Sequence, residues 1–423
     1  MDDRMVYIAE QIAALASVLL MGACGVQLLI RFARVLRGRE AADGLARRRR
    51  FAPHSALLLA GCAGLFSRFV LYALAYAMYR AGGVGGDGFV QSFERLWAHW
   101  DTQHYVGIAQ QGYTAVGDER LRLVFFPLYP MLMRLLSPLT GGDVFASGIV
   151  ISLACSAASS ALVYDLSYMH DGRAGARLSL GYFLLSPLSV FLGCVYTESL
   201  FICLTLLGVC LLRRGHPWLC ALCGALSAFT RMPGVIIAGL LIIDFCGRIP
   251  QKKVDLRAFV SCCAQVLLVF GGLIAYFIIN WQVTGDPFTY LTYQRENWYQ
   301  EPGAFWRSTA NTVHYFLTGV GENDWLWTWG FQLLCMLGAY LLLAFVSRRL
   351  PFDLAAYSFV YTAVVLAPTW LLSGARYLYA LCAMPMLLAR APVSRRGHKL
   401  LLAGSAAMLV VWTFGYTLAL EVL

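Results

Sequence analysis

The feature that most constrains this chain is the recurrence of apolar stretches about 18 to 25 residues long, such as Ala56–Met78 and Phe259–Trp281. Each is long enough to cross a hydrocarbon core roughly 30 Å thick as a helix. In that solvent the backbone must satisfy its own hydrogen bonds, and no alternating pattern suggests a closed barrel, so helices are the expected spanning elements. Only 13% of residues are charged, against roughly 25% in soluble domains. The chain therefore reads as an all-α polytopic membrane protein. About twelve spans are predicted, near 6–32, 54–80, 144–168, 177–195, 198–212, 217–231, 234–247, 257–281, 326–346, 352–372, 376–390 and 400–420.

Charge placement gives a topology. The net charge of +10 sits largely in short loops between spans, which argues against nucleic acid as a partner. With the N-terminus outside, the loops around 33–53, 169–177, 213–216, 248–257, 347–351 and 390–399 face inward, and each carries at least two Lys or Arg. The first holds the run Arg47-Arg48-Arg49-Arg50, read as a topological signal before a phosphoinositide site. Two long segments, 81–143 and 282–325, then lie outside and contain Trp- and Tyr-rich amphipathic stretches suited to the interface. Tyr7–Ile30 is too long for the apolar core of a cleavable signal and follows Asp2 and Asp3. The 30 Arg to 3 Lys and the short loops favour a bacterial plasma membrane over an endoplasmic reticulum membrane.

Polar residues gather on the outer side. His99-Trp100-Asp101-Thr102-Gln103-His104-Tyr105 places Asp101 and His104 on one face if residues 101–104 form a helical turn. A carboxylate there could take a proton from a substrate hydroxyl. Asp101 equally suits a helix N-cap, with Trp100 in the interfacial belt. Glu198, after Tyr196, is the sole acid between Arg177 and Asp244. Arg231 and Arg376 stand as single cations at outer helix ends, where their forked donors suit a lipid phosphate or a pairing with Glu198. Gln294 and Trp298 offer a hydrogen-bonding amide and a stacking ring for a sugar, or a loop tip with an interfacial tryptophan.

Metal and redox readings fail on spacing. His314 and Asp324 are isolated, and Cys220-Ala-Leu-Cys223 sits inside a span without a second pair. The inner side carries no glycine-rich phosphate cradle, so a soluble nucleotide donor is not expected there. Outer polar groups around lipid-accessible helices instead suit a membrane-lipid substrate. A lipid or glycolipid transporter competes, although it should carry polar groups along a path through the membrane.

The stretch His99-Trp-Asp-Thr-Gln-His-Tyr-Val-Gly-Ile-Ala-Gln-Gln-Gly-Tyr113, followed by Phe125-Phe-Pro-Leu-Tyr-Pro130, resembles the PIG-V family. Those are the GPI mannosyltransferase II enzymes and their bacterial relatives. Tyr196-Thr-Glu-Ser-Leu-Phe201, Thr230-Arg-Met-Pro-Gly234, Gly285-Asp-Pro-Phe288 and Gly374-Ala-Arg-Tyr377 follow in the family's order, so the likeness runs over roughly residues 54–390. It implies a GT-C fold over 54–423, with the first span and basic loop, 1–53, as an addition. It also implies an inverting transfer of α-mannose from dolichyl- or polyprenyl-phosphate mannose to a glycan or glycolipid acceptor. No cofactor, nucleotide or metal is implied. The family's base falls on Asp101. Arg231, Arg376 and His104 would meet the donor phosphate, and Trp100, Tyr105, Tyr196, Glu198, Gln294 and Trp298 the rest of the substrates.

Overall fold

The computed structural model describes residues 2–44, 51–82, 88–319 and 326–420; the Arg47–Arg50 run and Asp324 lie outside them. The regular structure of the described residues is helical, and they contain no strand. Among the described residues seven helical stretches are long and apolar enough to cross a membrane, and up to nine if two sharply bent pairs each count as one span. The molecule is an integral membrane protein, and the described residues hold fewer such full-length stretches than the twelve spans predicted.

Long helices form the lipid-facing frame. Helix α1 (Asp3–Leu36) opens on an Asp2 side chain that accepts the Arg4 N–H, with Asp3 in its first turn and Arg34 in its last, each at the end where the helix dipole favours it. Helix α2 is His54–Ala81. Large apolar side chains such as Leu29, Leu58 and Phe66 stand about 70% exposed on these helices. In lipid they meet a solvent as apolar as themselves.

Between α2 and the next long helix lie α3 (Phe89–Trp97), α4 (Asp101–Gln111), a 3-10 turn over Asp118–Val124, and α5 (Leu128–Leu136). This is the expected first long polar loop with its short helices. Gly107 lets α4 press on the 3-10 turn: a Cβ there would lie 2.6 Å from the Arg122 guanidinium carbon.

Spans near 144–168 and 177–195 were expected with a loop between them. The stretch α6 (Val144–Leu185) breaks at Gly172 (φ 66°, ψ −165°), inside that expected loop, so two helical segments meet there. Forty-two residues would measure about 63 Å as one rod, twice a hydrocarbon core, so the break divides two segments. A residue without Cβ makes the junction in a single step.

The centre holds shorter pieces: α7 (Glu198–Arg213), α8 (Pro217–Thr230), α9 (Ile237–Arg248), and α14 (Phe352–Val365). Around them run α10 (Leu256–Thr284), α11 (Thr289–Trp298), α12 (Phe305–Thr318), α13 (Phe331–Phe345) and α17 (Arg395–Thr417). Helix α1 packs along α12 and α13.

The span expected at 376–390 is replaced by α15 (Gly374–Tyr379) and α16 (Met384–Ala389), six residues each, and the 352–372 stretch is helical only to Val365. Irregular backbone at this depth survives only where protein supplies its hydrogen bonds. Here the supply is visible. Gln332 accepts the Gly374 N–H at 2.7 Å and donates to the Leu371 carbonyl; Tyr361 donates to the Tyr377 carbonyl and Tyr379 to the Phe183 carbonyl. A second such segment, the 3-10 turn Pro187–Gly193 before α7, is held by Tyr72 on the Gly193 carbonyl and by the fully buried Arg68 on the Ser189 carbonyl.

Candidate functional site

Helix α4 begins at Asp101, so the expected helical turn forms and Asp101 lies in it rather than capping it. The N-cap position is Trp100, whose backbone sits at φ 46°, ψ −112° and gives no side-chain cap. Positive φ on a bulky residue costs on the order of 1–3 kcal/mol and persists only where neighbours dictate it. Those neighbours are tyrosines. Tyr196 donates to the His99 carbonyl at 3.1 Å, Tyr416 donates to the Trp97 carbonyl at 3.1 Å, and the Tyr416 ring meets the Trp100 and His99 rings edge-on. The strain aims Asp101 away from α3 and into the bundle.

There it meets Arg376. Arg376 Nη2 donates to Asp101 Oδ2 at 2.9 Å, while its Nε lies 3.0 Å from Glu198 Oε1 without directing its N–H at that oxygen. Glu198 Oε1 also accepts from Arg231 Nη1 at 2.5 Å. Four charges thus form one chain, Asp101–Arg376–Glu198–Arg231, drawn from α4, α15, the start of α7 and the end of α8. Glu198 in the first turn of α7 and Arg231 just past the last turn of α8 each sit where a helix dipole favours their sign.

Aromatic faces line the chain. The Tyr377 ring lies 4.7 Å from the Arg231 guanidinium and 5.7 Å from that of Arg376; Tyr196 and Phe191 lie 5.1 and 5.5 Å from Arg376. Rings in these positions attract cations through their quadrupole while excluding water. Glu198 is 1% exposed and Arg376 7%, but Asp101 is 25% exposed. One acid is sealed; the other opens outward. Asp101 Oδ1 takes no hydrogen bond from the described residues, and Arg376 Nη1 is buried without a partner among them. The arrangement therefore offers an accessible carboxylate oxygen beside an unpaired guanidinium donor.

A second group of rings flanks Asp101. His104, one turn along α4, stacks on Phe125 at 4.5 Å and meets Trp298 edge-on at 6.5 Å. Burial pushes the His104 imidazole below its ordinary value, partly offset by Asp101. Tyr105 packs between Phe125 and Tyr129, and burial raises its phenol. Trp298, at the end of α11, thus reaches the cluster from far along the chain. Gln294 lies one turn earlier; its carbonyl accepts the Gln300 N–H at 3.1 Å. His314 pairs with Glu10 instead, far from the site, and the described residues include no group of three His, Cys, Asp or Glu that could hold a metal.

Some members of the cluster carry no advance signal in the sequence. Phe125 and Tyr377 stood inside recognisable blocks but gave no hint of being, respectively, the stacking partner of His104 and the plate between two arginines. The Asp101–Arg376 pair spans 275 positions.

Comparison with known proteins bears on the same residues. Residues 87–295 match the family model described as Mannosyltransferase (PIG-V). GPI alpha-1,6-mannosyltransferase 2 of Mus musculus is 30% identical over 191 residues, covering 41% of this chain and 38% of that one. The Homo sapiens protein of the same name is 31% identical over 163 residues, 35% of this chain and 31% of its own. The chain thus matches less than half the length of these relatives. Among solved structures, ArnT from Cupriavidus metallidurans bound to undecaprenyl phosphate is 12% identical, with a TM-score of 0.45 over 88% of this chain and 77% of that one. The matched family segment carries Asp101, His104, Tyr196, Glu198 and Arg231, and the fold brings Arg376 and Trp298 to them from beyond its end; over residues 87–295 the chain is similar to the PIG-V mannosyltransferases.

Proposed function

We propose that this chain is an inverting GT-C mannosyltransferase that moves mannose from a polyprenyl- or dolichyl-phosphate-mannose donor to a lipid-linked or glycan acceptor on the extracytoplasmic face, with Asp101 as general base. The observation that carries this reading is the accessible Asp101 carboxylate beside the buried Arg376, whose Nη1 is left unpaired among the described residues. In the reaction the acceptor oxygen bonds to the anomeric carbon, and the bond from that carbon to the phosphate oxygen breaks. The hydroxyl proton goes to Asp101, and the phosphate leaves with an added negative charge. One base opposite the leaving group is what inversion requires.

The leaving phosphate would draw on Arg376 Nη1 and on Arg231, in a site walled by Tyr196, Phe191 and Tyr377 where charge is poorly screened. Glu198 holds both guanidinium groups in place. As phosphate takes up Arg376, its hold on Asp101 weakens and the carboxylate gains basicity. Trp100, Tyr105, His104 and Trp298 present rings and edges suited to a sugar or to the first isoprene units.

Purified protein with synthetic polyprenyl phosphomannose and a panel of lipid-linked acceptors tests the proposal against Asp101→Asn. Transfer by the wild type alone supports donor, reaction class and base together. Normal turnover by the variant removes Asp101 from the role. Donor-dependent lipid movement across a vesicle membrane, without transfer, would favour a transporter.

A further inference from the structure

At the end of the bundle away from Asp101, residues from four separate stretches of the chain surround a cavity of about 410 Å³, within the roughly 300–1,000 Å³ typical of small-molecule sites. Its separation from the charged chain follows from α7, which starts at Glu198 and ends, about 22 Å on by helical rise, at Arg213, whose partner Asp353 bonds to Ala42 beside the lining residue Ala41. The charges lining it are Arg31, Glu40, Asp171, Arg349 and Arg390, with His170 beside them.

Most of this charge is closed. Arg31 donates to Glu40 at 2.7 Å and to the Ser347 and Leu350 carbonyls. Arg390 grips Asp171 through Nε and Nη2 at 2.9–3.1 Å. Arg349 is the exception. It donates once, to the Arg390 carbonyl at 2.7 Å, and has no carboxylate partner among the described residues. Arg390 Nη1 and His170 Nε2 are buried and likewise lack a partner there. One cation in excess, with two unpaired nitrogen atoms beside it in a cavity, is the donor set of an anion site.

From this we infer that the cavity binds a phosphate group, held by Arg349, Arg390 Nη1 and His170 Nε2, at a site separate from sugar transfer. The phosphate can belong to an anionic phospholipid headgroup or to a soluble phosphate. The polar rim is built from the arginine-rich loops that flank the apolar helices, so either source can reach it.

Delipidated protein in detergent is titrated with phosphatidylglycerol and, separately, with inorganic phosphate, binding being read by native mass spectrometry. Wild type is expected to bind one or both. Arg349→Gln, at an exposed position, and His170→Ala should each raise the dissociation constant roughly tenfold, the loss of one charge-assisted hydrogen bond. Melting temperature and transfer rate should stay unchanged in both variants. Displacement of phosphatidylglycerol by phosphate identifies phosphate alone as sufficient; retention of the lipid against phosphate identifies the headgroup. Binding that is absent, or equal in wild type and both variants, overturns the assignment.

Discussion

Two buried arginine–carboxylate systems lie at opposite ends of α7. At its C-terminal end Arg213 closes on Asp353 through both terminal nitrogens, at 2.5 and 2.8 Å, with the two side chains 2% and 4% exposed. Asp353 also accepts the Leu354 N–H, and its own N–H reaches the Ala42 carbonyl, so the pair locks three segments together. Next to it Arg214 pairs with Asp165, which also takes the Ala52 N–H. At the N-terminal end nothing closes in this way: Glu198 is shared by two arginines, Arg376 is shared by two acids, and the last acid faces out. A fork on a single carboxylate is a latch. A chain with an accessible end and an unpaired donor is built to exchange partners.

Breaking that contrast starts with Asp101→Asn. It should lower transfer by about 10²- to 10⁴-fold, the usual share of a positioned base, with little change in melting temperature because the amide can still accept from Arg376. Unchanged kcat would dissolve the distinction between the two ends. Arg376→Gln should follow, with kcat down by on the order of 10²-fold as the leaving phosphate loses a buried donor. Arg376→Lys should restore only part of that, since an ammonium keeps the charge but not the fork.

Arg213→Gln should invert the pattern. Leaving Asp353 buried and unpaired should cost about 3–5 kcal/mol of stability, read as a lowered melting temperature, while turnover per folded molecule stays near wild type. A large kcat loss at unchanged stability would mean the latch also serves the site. Trp298→Ala should raise the donor or acceptor KM by roughly tenfold with a smaller effect on kcat, the signature of a stacking wall.

The smallest effect belongs to His104. Burial holds its imidazole below the ordinary 6.5, so the folded state favours the neutral ring and the unfolded state takes up the proton first. Its stabilising contribution is thus present above about pH 6.5 and is lost as pH falls below it. Melting temperature between pH 7 and 5 should therefore fall less steeply in His104→Gln than in wild type. Parallel curves would place the imidazole in open water.

Much of this was legible in the residues. Apolar length alone gave the membrane class, because hydrocarbon thickness fixes how many helical residues must stay apolar. The His99–Tyr105 pattern gave the turn that puts Asp101 and His104 on one helical face, a local matter of periodicity. Of the twelve predicted spans, seven to nine stand among the described residues as full-length apolar helices. The stretches 352–372 and 376–390 have the composition of spans, but Pro368 and Pro385 interrupt them, and Gln332, Tyr361 and Tyr379 supply hydrogen bonds that let the backbone leave the helix. A hydropathy window cannot see a partner far away in the chain.

The same division runs through the site. Sequence by itself determined the bilayer-length helices, the short helices of the first long loop, and which rare ionisable residues stand among apolar ones, since each follows from the local cost of placing a group in hydrocarbon. Only the tertiary structure decided that Asp101 opens outward while Glu198 is sealed, that Arg376 stands between them, and that Tyr377 lies against both arginines. Those outcomes depend on which helix ends meet, and contacts between residues hundreds of positions apart are set by packing of the whole bundle rather than by any local pattern.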